Sequence, residues 1–370
     1  MTHLFHSLWS YISGFFAWIA ASYSLLWRSW WWGKLLIVIF WTLLSIFVAF
    51  YGVSRWYVAS TRDQPLQLGV TYVADYAAAL GVDPRETYDA ILHDLDVKHL
   101  RLVSYWSKHE PEQGQYDFSE LDWQFAEAEE AGAKISLALG LRQPRWPECH
   151  APQWADVHNS DGWQDSLDAY IETVVNRYKD SPALESYQLE NEYFLSAFGE
   201  CPTPSRERLQ TEFDLVKRLD PERPIIMTRS DNLPGLLLSE PRPDIVGMSV
   251  YRRVWNENIY RGYFNYPLPS WYYAGLAGLQ KIFTGRDSML HEMQMEPWPP
   301  SGQFVADVSR EVQDESMNAS DFENRVQFAE RTGLRTIDLW GAEWWYYRKA
   351  ALHDDSVWNA AKASFDKRRQ

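Results

Sequence analysis

Two carboxylates that could act on one bond stand far apart in the chain, each at the end of an apolar run. Glu192 closes Ser186-Tyr187-Gln188-Leu189-Glu190-Asn191-Glu192, and Glu292 closes Met289-Leu290-His291-Glu292. Two such carboxyl groups, held about 5 to 5.5 Å apart, can cleave a glycosidic acetal by double displacement: one protonates the leaving oxygen and the other attacks the anomeric carbon. The charge of Glu292 would keep Glu192 protonated. Asn191 would bond the sugar 2-hydroxyl, and Arg101 and Tyr251 would orient Glu292 and favour its ionised form. Strict alternation would send Asn191 and Glu192 to opposite faces, so the strand must bulge or end there. Two nearby carboxyls compete. Glu190 lies deeper in its strand, where pairing with Arg or Lys is expected. Glu296 lies in the loop before Pro297, as a substrate contact or a structural partner. Glu343 fits a structural or a functional role equally.

Positioning these groups calls for a repeating scaffold. From residue 66 the chain alternates strand-like and helix-like segments, the pattern of a parallel sheet with helical crossovers. Strands are expected over Leu66 to Val70, Leu100 to Val103, Ile135 to Leu139, Tyr187 to Leu189, Ile225 to Thr228, Ile245 to Val250, Met289 to His291 and Thr336 to Leu339. That number closes a (β/α)8 TIM barrel, in which chemistry sits at the carboxyl ends of the strands. Those ends carry Arg101, Arg142, Asn191, Glu192, Tyr251, Glu292 and Trp340. Ser119-Glu120-Leu121-Asp122 reads as a capping box opening one helix. Others are expected from Asp161 to Lys179, Ser205 to Leu219 and Ser320 to Thr332. The fifth unit is short, and the aromatic stretch from Trp255 to Phe283 reads as a loop plus a helix.

The segments Arg101-Leu102, Trp106-Ser107-Lys108-His109-Glu110-Pro111 and Gly114-Gln115-Tyr116-Asp117-Phe118, with Asn191-Glu192, Tyr251, Glu292 and Trp340, carry a resemblance over residues 66–350. The chain resembles the retaining glycoside hydrolases of the (β/α)8 clan that includes the family 5 cellulases and mannanases and the family 42 and 35 β-galactosidases. It is most similar to membrane-anchored bacterial members. The resemblance implies Glu192 as acid/base and Glu292 as nucleophile. It implies a carbohydrate substrate, with Asn191, Arg101, Tyr251, Trp340, Arg142 and Glu296 as substrate-binding candidates. The loop Leu141-Arg142-Gln143-Pro144-Arg145-Trp146-Pro147-Glu148-Cys149-His150 departs from family 5 in lacking its histidine pattern. Trp146, Trp298 and Trp344 are alternatives to Trp340 as a sugar platform.

The two cysteines, Cys149 and Cys201, follow the third and fourth strands and so belong to neighbouring loops. In an exported domain they can form a disulfide beside Glu192. Without a CxxC pair or an HxH pair, neither a structural zinc site nor a metal-dependent hydrolase is expected. Nothing in the sequence calls for a cofactor. The net charge is −15. Arg28, Lys34, Arg55 and Arg62 against Asp63 make the first 65 residues positive, so the acidity lies in the body. An acidic body disfavours nucleic acid and polyanionic sugars and leaves a neutral glycan.

Leu35 to Tyr51 is uncharged, and with Gly52, Val53 and Ser54 it reaches the ~20 residues that cross a bilayer. Residues 34–54 are therefore expected as a transmembrane helix contacting lipid. Residues 1–33, apolar from Leu4 to Trp27, are expected as an interfacial or second membrane helix. Residues 55–65 would be a linker and 66–370 the catalytic domain. Arg28 and Lys34 place their side in the cytoplasm and the barrel outside the cell membrane. A carbohydrate-binding barrel without catalysis is the alternative from a different functional class.

Overall fold

A computed structural model describes Ser24 and residues 31–159, 162–196, 198–230, 236–257 and 261–368. Two compact units divide between Val53 and Ser54. The first contains most of helix α1 (Trp31–Thr61), which is long and apolar enough to cross a membrane, with a mean hydropathy of 2.4. The expected apolar helix over residues 1–33 falls largely outside the described residues. The interval expected as a linker is instead helical through Thr61. Its residues belong to the second unit, where Tyr57 and Thr61 are buried.

The second unit is a (β/α)8 TIM barrel. Its strands are β1 (Gln67–Thr71), β2 (His99–Leu102), β3 (Lys134–Leu139), β4 (Leu184–Leu189), β5 (Ile225–Ser230), β6 (Ile245–Val250), β9 (Asp287–Gln294) and β10 (Thr336–Trp340). Their cyclic order is β1-β10-β9-β6-β5-β4-β3-β2, closed and parallel throughout. All the expected strands are present. Val70, Leu100, Leu137, Val246, Leu290 and Leu339 are fully buried, as befits strands covered on both faces. Each such side chain contributes roughly 1.5–3 kcal/mol by leaving water.

The helices pack apolar faces on the outside of the barrel. They include α2 (Ser119–Glu130), α3 (Trp163–Tyr178), α4 (Arg206–Leu219), α5 (Ser270–Thr284) and α6 (Ala319–Glu330). Helix α3 buries Leu167, Tyr170, Ile171, Val174 and Tyr178, the spacing of one helical face. Ser205 caps α4 by accepting from the Arg208 amide at 3.3 Å. The capping box expected at Ser119 does not form. Phe118 occupies the N-cap position, and the Asp117 carboxylate accepts from the Ser119 amide at 2.9 Å.

Two departures from the expected elements matter for the site. The aromatic stretch before α5 contains an antiparallel hairpin, β7 (Arg253–Asn256) and β8 (Gly262–Asn265), where only a loop was expected. Strand β9 also runs past His291 to Gln294, so Glu292 lies inside a strand. The register slips there on both sides. Ser249 pairs with Glu292 although Met248 pairs with Leu290, and Leu339 pairs with Met293 although Ile337 pairs with Leu290. Such a bulge re-aims a side chain without ending the strand.

Candidate active site

Strand β4 ends at Leu189, and the next residues leave extended geometry: φ is 54° at Glu190 and 44° at Glu192. Left-handed φ at non-glycine residues is uncommon and concentrates at functional sites. The turn separates three neighbouring side chains. Glu190 turns inward, accepting from the amides of Leu141 (2.9 Å) and Arg142 (2.8 Å) and from Arg208 (3.1 Å). Its carboxyl occupies the space beside Gly140, at φ 99°, where a Cβ would lie 2.6 Å from Glu190 Oε1. Glu190 is thus the paired structural carboxylate expected from its depth in the strand. Asn191 and Glu192 turn toward a cavity of about 460 Å³ at the carboxyl ends of the strands.

Glu292 lines the same cavity and is held at both oxygens. Arg101 Nη1 donates to Oε1 at 2.7 Å and the Tyr251 hydroxyl donates to Oε2 at 2.9 Å. Arg101 is fully buried. Its other donors reach Gln188 Oε1 (2.6 Å) and Asn191 Oδ1 (2.9 Å). The expected orienting role of Arg101 and Tyr251 therefore has its geometry. Arg101, however, sits behind Glu292 and does not line the cavity.

Glu192 has a different environment. It is buried, its amide donates to Thr228 Oγ1 at 2.8 Å, and its Oε1 has no hydrogen-bond partner. Burial pushes its pKa up to about 7, with the charge of Glu292 a second cause. The sequence exposes only the second of these causes, because burial is invisible in it. The two carboxyls of this cavity thus differ: one is raised by burial, and the other is held by two donors.

The other sequence candidates divide. Asn191 engages Arg101, Gln188 and Thr228 through its oxygen and donates to Glu148 Oε2 at 3.1 Å. Glu296 lines the cavity, bound by Arg145 Nη1 at 2.6 Å and by the Trp340 indole at 2.6 Å. Trp340 lines it too, with the Arg145 guanidinium 4.2 Å from its ring centroid. Arg142 does not reach the cavity. It lies behind Glu148 at 3.6 Å and donates to Cys201 Sγ. Cys149 and Cys201 form the expected disulfide, with a Cα separation of 5.2 Å.

Sequence reasoning missed Glu148, Arg145 and the hairpin residues Val254 to Glu257, all of which line the cavity. Glu148 and Arg145 belong to the loop already marked as unusual, and the neighbouring Cys149 was the available signal. Nothing local distinguished the hairpin, which matters only because the barrel brings it to the mouth. Glu343 is fully buried, accepting from the Val73 amide (2.6 Å) and Arg145 Nη2 (3.3 Å), which favours its structural reading.

Residues 85–162 match the family model described as Glyco_hydro_42, β-galactosidase. Over that stretch the chain is similar to this glycoside hydrolase family. The matched stretch includes Arg101 and the Arg142-to-Cys149 loop but neither Glu192 nor Glu292. β-Galactosidase LacZ of Lactobacillus acidophilus is 24% identical over 160 residues, covering 37% of this chain and 24% of that protein. β-Galactosidase 14 of Arabidopsis thaliana is 26% identical over 159 residues, covering 38% and 18%. The chain thus aligns with about a quarter or less of each curated relative. Among solved structures, an exo-β-1,4-mannosidase from Opitutaceae bacterium strain TAV5 superposes with a TM-score of 0.55 at 16% identity, over 82% of this chain and 60% of that one. A β-galactosidase from Halorubrum lacusprofundi gives 0.54 at 16%, over 82% and 58%. These likenesses concern the fold.

Proposed function

We propose that the chain is a membrane-tethered retaining β-glycoside hydrolase or transglycosylase, with Glu192 as general acid/base and Glu292 as nucleophile. The observation that carries this reading is the unequal treatment of the two carboxyls. Glu292 receives one donor on each oxygen, whereas Glu192 is buried with Oε1 unbonded in the same cavity. Clamping orients an attacking carboxylate, and desolvation retains a proton on the acid.

In the first step Glu292 attacks the anomeric carbon while Glu192 protonates the leaving oxygen, giving a glycosyl-enzyme ester. In the second, Glu192 takes a proton from water or an acceptor sugar, which displaces Glu292. The lining includes Glu148, Glu192, Glu257, Glu292 and Glu296, with Arg145 committed to Glu296. That balance selects a glycan without acidic groups. Exposed Trp146, with Phe198 and Trp298, supplies aromatic surface at the mouth for sugar faces.

The apolar span of α1 would anchor the enzyme in the cell membrane, with the barrel on the extracytoplasmic side. The disulfide suits an oxidising compartment. Protease protection of membrane vesicles tests the orientation. Hydrolysis of a panel of aryl β-glycosides and β-linked polysaccharides tests the activity, with Glu192→Gln and Glu292→Gln as controls. Activity surviving Glu292→Gln would remove the nucleophile assignment. No turnover across the panel would favour a binding barrel.

A further inference from the structure

Glu148 is a buried carboxyl at the reacting centre for which the two-glutamate mechanism has no task. Its position is built. The backbone has φ 73°, its amide donates to Arg145 O at 2.8 Å, and its carbonyl accepts from the Gln143 amide at 2.8 Å. The next residue is tied by disulfide to Cys201. Gly199, at φ 90°, leaves room for the side chain, since a Cβ there would lie 2.9 Å from Glu148 Cγ. Left-handed backbone strains a non-glycine residue, and here the strained residue points its carboxyl into the cavity.

A short chain of groups connects it to the nucleophile. Arg101 bonds Glu292 at 2.7 Å and Asn191 at 2.9 Å, and Asn191 Nδ2 bonds Glu148 at 3.1 Å. A pyranose whose anomeric carbon meets Glu292 has two ring atoms next to that carbon, the ring oxygen and C2. Only C2 bears a substituent. With Asn191 in its expected place at the C2 substituent, Glu148, bonded to Asn191 and lining the same cavity, faces that substituent too.

The charges say which substituent fits. Arg101, Arg142 and Arg145 stand among Glu148, Glu192, Glu292, Glu296 and Glu343. The surplus of carboxyls must be met by protons or by a cation brought with the ligand. Glu192 keeps a proton for catalysis, and Glu343 is fully buried behind Arg145, outside the cavity lining. Glu148 faces the cavity, with an ion pair to Arg142 Nη2 at 3.6 Å and a hydrogen bond from Asn191 Nδ2 at 3.1 Å on its Oε2. Burial pushes the Glu148 pKa up to about 8; Arg142 opposes this and the charges of Glu292 and Glu192 add to it, so a further positive charge beside this carboxyl is favoured.

Building on the glycosidase reading, we infer that Glu148 receives an ammonium group and that the sugar cleaved is a 2-amino-2-deoxy-β-glycoside with an unacylated amine. The acid-free glycan of the broader reading is thereby narrowed to a basic one.

The test compares kcat/KM of the full-length chain in detergent for 4-nitrophenyl 2-amino-2-deoxy-β-D-glucopyranoside and its galacto epimer with the 2-hydroxy and 2-acetamido counterparts. The amino sugar is expected to lead, and Glu148→Gln to shrink its advantage over the hydroxy sugar by about 30-fold or more, the lower range for removing one partner of a buried charge pair. Preference for the hydroxy or acetamido sugar, or an unchanged ratio in Glu148→Gln, would overturn the inference while leaving the glycosidase reading intact. If no glycoside is cleaved, the glycosidase reading fails. Calorimetry with methyl 2-amino-2-deoxy-β-D-glucopyranoside against methyl β-D-glucopyranoside then still decides the role of Glu148. Tighter binding of the amine, lost in Glu148→Gln, supports it; equal binding refutes it.

Discussion

Arg101 and Glu292 form an ion pair of 2.7 Å, with the guanidinium fully excluded from solvent and the carboxylate nearly so. The same guanidinium holds Gln188 and Asn191, so one side chain from β2 fixes groups from β4 and β9. Removing one partner of such a pair leaves an uncompensated buried charge. Arg101→Ala is expected to lower unfolding stability by about 3–5 kcal/mol and to abolish turnover. Arg101→Lys keeps the charge but loses the fork, so it should recover part of the stability and little of the activity. Urea unfolding together with kcat measurement separates the two effects.

If Glu192 donates the proton, its removal should matter most for poor leaving groups. Glu192→Gln is expected to lower kcat by about 10²–10⁴ on alkyl glycosides, and by much less on glycosides of acidic phenols. Equal losses across a series of leaving groups would move the acid role elsewhere. Proton NMR of the first-formed product should show the β anomer; an α product would refute double displacement.

The rate should also carry the titration of Glu192. Burial raises its pKa to about 7, so the proton-donating form is lost as pH rises through that value. The prediction is an alkaline limb of kcat/KM near neutrality, absent in Glu192→Gln assayed with an activated leaving group.

Stability should follow the same groups. An unfolded glutamate titrates at about 4.3. In the fold, burial lifts Glu192 to about 7 and Glu148 to about 8. Between the unfolded and folded values the native state binds more protons, so this contribution is complete below the unfolded pKa and is lost as pH rises through the folded ones. Urea midpoints should fall from about pH 4 to pH 8. Glu148→Gln should flatten the upper part of that decline, and an unchanged slope would show that Glu148 is not its source.

The Cys149–Cys201 bond closes a separation of 52 residues that contains Glu190 and Glu192 and begins directly after Glu148. Cross-linking a loop of that length stabilises by about 4 kcal/mol in the chain-entropy account. Cys149→Ser with Cys201→Ser should lower the melting temperature and weaken activity, because Glu148 adjoins the bridge. Native protein should resist alkylation until reduced; two freely alkylated thiols would exclude the bond.

The sequence by itself determined the barrel. Parallel strands buried on both faces must be apolar, so Leu100 to Val103 or Ile245 to Val250 were readable one by one, and their number implied closure. It also marked Glu192, Glu292 and the cysteine pair, because residue type and place in the repeat are local properties. Tertiary structure decided what those residues experience. The slip at β9 beside Glu292, the turn that sends Glu190 inward and Glu192 to the cavity, and the retreat of Arg142 behind Glu148 depend on register and backbone sign, which no run of residue types encodes. Glu148 shows the difference most clearly. In the sequence it is one acidic residue in a loop. It joins the site only because a left-handed backbone, a disulfide and Gly199 direct its carboxyl toward Asn191, and proton binding at a carboxyl depends on the charges and solvent that closure puts around it.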